Sequence, residues 1–112
     1  MVRPPAVLDT FSAIGHPRRR AIMSLLATED KVVSDLVAAV GVSQSAVSEH
    51  LAALRSVGLV TYRKRGRERL YRLDTAPLRD VTDWISTLEA FWDERFDRLG
   101  RLLETIDEEN GQ

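Results

Sequence analysis

The run QSAVSEHLAALRSVG, residues 44–58, with Gly41-Val42-Ser43 in front of it, constrains the fold of this chain more than any other stretch. Ser43 is a favoured N-cap, able to accept from a first-turn N–H that has no partner inside the helix. Val42 before the cap and Val47 four positions into the helix match a hydrophobic staple. Val47, Leu51 and Leu54 then fall on one face, which turns Gln44, Ser45, Ser48 and Glu49 outward, and Gly58 supplies the stop. Upstream, Leu36, Val37 and Val40 predict a helix over about Val33–Val40 that Gly41 ends. Two helices joined by a three-residue, glycine-containing turn make a helix-turn-helix, placed at residues 33–57.

The flanking segments extend this unit on both sides. Ala6–Ile14 reads as a short helix. Pro17 suits the first position of a second one, where its missing N–H costs nothing, and Ile22, Leu25 and Leu26 mark the apolar face. Beyond the helix-turn-helix, Leu59–Arg63 and Arg69–Leu73 carry β-branched, aromatic or apolar residues around Gly66, a hairpin spanning residues 59–73. From Pro77 the pattern is helical to about residue 107. Leu78, Ile85, Trp92, Leu99 and Ile106 recur every seven residues, and Val81, Leu88 and Leu102 fill the alternate positions, with Arg95 as the exception. That is a heptad seam, and it predicts a helix that pairs with another.

Size and charge fit the same picture. The 112 residues are enough for a single domain, with one core that relies on a partner chain for further burial. The formal net charge of −1 argues against a nucleic-acid binder until it is resolved along the chain. Residues 55–72 hold seven basic side chains against Glu68 alone, whereas residues 80–109 hold ten carboxylates against three arginines. One end of the fold is thus suited to a polyanion and the other is kept from it. The absence of cysteine excludes disulfides, thiolate metal sites and cysteine nucleophiles. The longest apolar stretch, Leu36–Val42 with a glycine inside it, is too short to cross a bilayer, and MVRPPAVLDTF contains no apolar signal core. A cytoplasmic protein without membrane contact is expected.

An exposed helix N-terminus bearing an amide and hydroxyls suits the major groove of DNA. Gln44 can pair in bidentate fashion with an adenine edge, the serines can contact bases or phosphates, and the helix end itself favours a phosphate. A basic hairpin directly after it would follow the backbone or the adjacent minor groove. The fold class expected is therefore mainly α with a small β-hairpin, a winged helix-turn-helix that dimerises through its first and long last helices. The DNA-facing candidates are Ser43, Gln44, Ser45, Ser48, Glu49, His50, Arg55, Arg63, Lys64, Arg65 and Arg67. The dimer candidates are Leu8, Phe11, Leu78, Val81, Ile85, Leu88, Trp92, Leu99 and Leu102.

SQSAVSEHLAALRSVGLV with RKRGRERLYRL after it and GHPRRRAIMSLL before it resembles the ArsR/SmtB family of bacterial transcriptional repressors, over nearly the whole chain. The Ser-Gln-Ser-x-Val-Ser-x-His-Leu run is its most specific part, and Gly66-Arg67 with Tyr71-x-Leu73 is a second match. The resemblance implies a dimeric repressor on a palindromic operator, with Gln44, Ser45 and Ser48 in the groove, Glu49 and His50 as further candidates, and Arg65 and Arg67 in the wing. Two departures stand out. Where many members carry a metal-binding Cys-x-Cys this chain has VVSDL, and its last helix lacks the paired histidines and carboxylates that others use. No metal or other cofactor is expected, and the effector is unknown.

Competing readings exist for several residues. His50 could be a metal ligand or a base, but no second histidine or cysteine is placed to complete a site, so packing beside the helix or a backbone hydrogen bond is the simpler role. His16 reads as a helix-start residue. Arg18, Arg19 and Arg20 could reach a phosphate or only solvate their helix. Trp84, Phe91 and Trp92 could form a dimer core or line a ligand pocket between two long helices. Arg95 could pair with a partner carboxylate or snorkel outward. No glycine-rich phosphate loop or paired nucleophile supports catalysis. The functional alternatives to a DNA-binding repressor are a protein-interaction module built on the same fold and a repressor that senses a small molecule between its last helices.

Overall fold

The computed structural model of the chain describes residues 9–110, in the order α1 (Thr10–Ile14), α2 (Pro17–Thr28), β1 (Lys31–Val32), α3 (Val33–Val40), α4 (Gln44–Ser56), β2 (Val60–Arg65), β3 (Glu68–Leu73), a 3-10 turn (Ala76–Leu78) and α5 (Arg79–Asn110). The chain divides into two compact units, one ending at Asp80 and the other beginning at Val81. No helix among the described residues is long and apolar enough to cross a membrane.

Local chemistry sets the boundaries in the first unit. The Asp9 carboxylate accepts from Ser12 N–H at 2.8 Å to open α1, and this bond, first among its causes, holds the Asp9 pKa below the ordinary value. His16 caps α2 through Nδ1, which accepts from Arg18 N–H at 3.1 Å, and Pro17 follows in the first turn. Ser43 Oγ accepts from Ala46 N–H at 3.1 Å, as the cap reading requires. At the far end of α4 the Gly58 N–H reaches Arg55 O and the Leu59 N–H reaches Leu54 O, both at 3.0 Å. This is a Schellman closure, and it needs the positive φ of +80° at Gly58.

The core forms where these elements meet. Val47, Leu51 and Leu54 of α4 are buried against Ile22 and Leu26 of α2, Leu36 of α3, Ala13 of α1, and Leu59, Val60 and Tyr71 at the base of the hairpin. Val42, partly buried, packs on the same cluster as Val47, which completes the staple.

The hairpin is part of a three-stranded antiparallel sheet in the order β1-β3-β2. Arg65 pairs with Glu68 across a two-residue loop in which Gly66 alone has positive φ, the pattern of a II′ turn. The sequence reading contained no β1. Its two residues pair with β3 as Lys31↔Tyr71 and Val32↔Leu70, and a strand that short shows no alternation of its own.

The second unit is a single helix of 32 residues. It starts at Arg79 rather than Pro77, because Ala76–Leu78 adopt a 3-10 turn. Leu78, expected at the head of the seam, packs instead on the core of the first unit, and Val81 is buried. The exposed apolar stripe therefore begins at Trp84. It takes in Ile85, Leu88, Trp92, Leu99, Leu102 and Ile106 of the expected seam, and also Phe91, Phe96 and Leu103. Among the remaining dimer candidates, Phe11 is exposed and Leu8 lies outside the described residues.

Candidate nucleic-acid interface

The buried face of α4 fixes what its other face can present. With Val47, Leu51 and Leu54 held in the core, Gln44, Ser45, Ser48 and Glu49 are all exposed. Ser43 is exposed too, its Oγ already accepting from Ala46, so the hydroxyl has its proton to offer a ligand.

The wing lies beside the start of this helix. Gln44 and Arg67 line one recess of about 300 Å³ together with Val32, Val33, Ser34, Glu68 and Arg69. Two candidates 23 positions apart in sequence, one from each DNA-facing element, are thus brought to one place. Arg63, Lys64 and Arg65 are exposed on β2. The strand register separates them: Lys64 shares a face with Tyr62, Tyr71 and Arg69, and Arg63 and Arg65 share the opposite face with Arg72 and Leu70. A basic run that reads as one patch along the sequence is two faces and a tip.

Arg55, in the last turn of α4, is exposed, and its guanidinium carbon stands 4.6 Å over the Tyr62 ring. Arg69 stands over the same ring at 4.4 Å. Its pKa is raised further, first by hydrogen bonding with the Tyr71 side chain and next by the charge interaction with Tyr62. Neither Tyr62 nor Arg69 was among the residues that sequence reasoning singled out. The i to i+2 spacing of Arg67, Arg69 and Tyr71 was the available signal, since it puts these residues on one side of a strand.

His50 stands apart from its exposed neighbours. It is half-buried, its Nδ1 accepts from Arg19 Nε at 3.3 Å, and its ring lies 4.5 Å from that of His16. Burial, then charge interactions with His16, Arg19 and Arg18, push its pKa down, with Glu49 opposing weakly. The fold thus brings His16 beside His50, a proximity that the 34 positions between them do not announce. Both Nδ1 atoms are engaged, in the α2 cap and in the tie to Arg19. Among the described residues no group of three or more His, Cys, Asp or Glu could hold a metal ion. Arg20 reaches back to Ile14 O at 2.8 Å and closes α1, and Arg18 is exposed.

On α5, Arg95 settles over its own Phe91 at 4.7 Å, and Arg98 pairs with Glu94 one turn back at 2.6 Å. Trp92 and Phe96 meet edge to face, with centroids 5.0 Å apart.

With this geometry the comparisons with known proteins agree. Residues 16–62, from the α2 cap to the middle of β2, match the family described as bacterial regulatory protein, arsR family. The chain is similar to the transcriptional repressor SmtB homolog of Synechocystis, 51% identical over 65 residues that cover 58% of this chain and 49% of the relative, so it spans about half of that protein's length. It is 32% identical over 95 residues to the HTH-type transcriptional regulator Rv2034 of Mycobacterium tuberculosis, covering 85% of this chain and 86% of the relative. Among solved structures, an ArsR-like transcriptional regulator from Rhodococcus superposes with a TM-score of 0.67 at 33% identity, covering 85% of this chain and 87% of that one. An exposed polar recognition helix, an adjoining basic wing and relatives matched along most of their length identify this chain as a winged helix-turn-helix member of the ArsR family of bacterial transcriptional regulators.

Proposed function

We propose that the chain is a cytoplasmic, DNA-binding repressor without catalytic activity, which acts as a homodimer on a palindromic duplex operator. The observation that carries this is the recess lined by both Gln44 and Arg67, an amide suited to a base edge and a guanidinium suited to a phosphate. Gln44, Ser45 and Ser48 read base edges, with Glu49 and Ser43 at the margin. Arg55, Arg63, Lys64, Arg65 and Arg67 engage phosphates. His50 holds α4 in place through Arg19.

The width of the apolar stripe on α5 supports the dimer. Trp84 and Phe91, and Phe96 and Leu103, widen the seven-residue seam on both sides, beyond what one facing helix covers. Pairing of α5 and α1 of two copies would cover it and would set two recognition helices about 34 Å apart, one helical turn of DNA. The carboxylates of α5 then lie away from the duplex, which reconciles a net charge of −1 with DNA binding. No metal or other cofactor enters this function, and the effector, if the family's habit of leaving DNA on a signal holds here, is a separate ligand.

The test is DNA recovered by the purified protein from its own genome, beginning with its own promoter, followed by a salt titration on that duplex and on a random one. Tight binding to a two-fold symmetric sequence, unchanged by stoichiometric zinc, with weaker and strongly salt-dependent binding to random DNA, is the expected result. Absence of salt-dependent binding to either duplex favours the protein-interaction alternative.

A further inference from the structure

Tyr62 lies directly across from Tyr71 in the β2–β3 ladder, and the two rings are 5.4 Å apart. On this face of the hairpin Val60 and Tyr71 are buried, Tyr62 is half-buried and Lys64 is exposed, so Tyr62 sits where the wing leaves the core. Over its ring stand two guanidinium groups from two different elements, Arg55 of α4 at 4.6 Å and Arg69 of β3 at 4.4 Å. Lys64 pairs with Arg69 across the ladder, which adds a third cation to the same face of the hairpin. The ion pairs Lys31–Glu29 and Arg98–Glu94 lie elsewhere.

The kind of partner matters. A carboxylate would occupy the N–H edge of a guanidinium and cancel its charge, and both are what a phosphate needs. An aromatic ring takes the flat face and leaves the charge in play, together with the in-plane N–H groups other than the one Arg69 gives to Tyr71. Ring stacking is therefore a way to immobilise an arginine without spending its capacity for phosphate.

We propose that Tyr62 is a positioning residue for DNA binding, which holds Arg55 of the recognition helix and Arg69 of the wing in one arrangement so that both meet backbone phosphates. This rests on the reading that α4 and the wing face DNA, and it adds Arg69 to the phosphate contacts. The ring lowers the entropy lost when two long side chains are ordered on the duplex, so it acts on affinity without itself neutralising a phosphate.

Binding of the full chain to a random-sequence duplex, followed by fluorescence anisotropy across a salt series, separates these roles. Tyr62→Phe keeps the ring and binds as the unaltered protein does. Tyr62→Leu weakens binding by about five- to thirtyfold, the loss of two such contacts, while the slope of log affinity against log salt stays the same. Arg55→Lys with Arg69→Lys keeps the charges but not the planar stacking, and gives the same pattern in a protein whose core is untouched. Arg55→Ala with Arg69→Ala lowers the slope by about two, and adding Tyr62→Leu to it costs nothing more. If Tyr62→Leu and the lysine pair both bind normally while the alanine pair lowers the slope, the positioning role is wrong and the DNA-facing reading survives. A Tyr62→Phe loss equal to that of Tyr62→Leu also overturns it. If the alanine pair changes neither affinity nor slope, this face does not meet DNA and the underlying reading fails. Should Tyr62→Leu not fold, the lysine pair decides.

Discussion

In residues 9–80 the large side chains Ile22, Leu36, Leu51, Leu54 and Leu59 are almost completely buried, whereas along α5 Trp84, Phe91, Trp92, Phe96, Leu99 and Leu102 are each about half exposed. Both regions are rich in apolar residues, and both are laid out at helical spacing. The first has four α-helices and three strands within reach to cover its apolar faces, and it carries its caps and its turn glycines in its own sequence. The second is a single amphipathic helix, and such a helix draws its stability from packing more than from propensity. Exposed aromatic area on that scale marks a surface that binds something. The contrast separates a unit whose apolar side chains its own elements cover from a helix whose apolar face the lone chain leaves open, and the proposal that association covers that face can be broken.

The largest effect is expected at Leu99, which is 49% exposed in the lone chain. Leu99→Asp would put a carboxylate into the proposed seam, where neither the charge nor its neutralised form finds a partner. Light scattering should report a monomer, with operator binding lost and weak, salt-sensitive binding to random DNA retained. A variant that remains dimeric at full affinity would remove α5 from the interface and leave the contrast unexplained.

Core substitutions probe the other half. Leu51 is 1% exposed, and Leu51→Ala should cost about 2–5 kcal/mol in urea unfolding, with a loss that persists in dilute protein. Trp92→Ala, at a residue 57% exposed, should raise the dimer dissociation constant and leave unfolding of the dissociated chain nearly unchanged. Equal losses from both in dilute protein would mean that α5 is stabilised within its own chain. Smaller again is the effect at the proposed DNA-facing surface of the first unit. Gln44→Ala should weaken operator binding by about 1–3 kcal/mol and nearly spare random DNA, and fold stability should not change. Equal losses on both duplexes would deny Gln44 a base-reading role.

What the sequence made legible in the two regions follows the range of the interactions. The Ser43 cap, the staple at Val42 and Val47, the Gly58 closure and the Gly66 turn each involve residues within a few positions, and each is found as read. The helix-turn-helix and the exposed side of α4 follow from them. Contacts between distant segments left no local trace. β1 exists because β3 pairs with it, the Arg19–His50 bond spans 31 positions, and Arg55 and Arg69 meet on Tyr62 only after the hairpin folds against α4. The heptad pattern was legible as periodicity, but periodicity alone does not reveal that Leu78 is partly buried against the core of the first unit and Val81 buried, nor that flanking aromatics broaden the stripe.

The smallest effect, and one confined to the first unit, concerns acid. His50 is held neutral by its surroundings: burial disfavours the charged ring, charge interactions with His16, Arg19 and Arg18 oppose it, and Arg19 Nε donates to an Nδ1 that must carry no proton. Its pKa in the folded chain is therefore below the ordinary value of 6.5. As pH falls through 6.5 the unfolded chain takes up this proton before the folded one does, so stability declines with acidity. The contribution is fully present above pH 6.5 and is lost as pH falls through the lower, folded value. His50→Gln supplies a carbonyl oxygen that can accept from Arg19 and has no proton to gain, so it should flatten the stability profile between about pH 7 and pH 5. Urea unfolding at several pH values, carried out in the monomeric Leu99→Asp background, reads this without interference from association. An unchanged profile in His50→Gln would assign the proton uptake to another group. A profile that flattens only when the chain is dimeric would tie His50 to the association of α5 and dissolve the separation between the two regions.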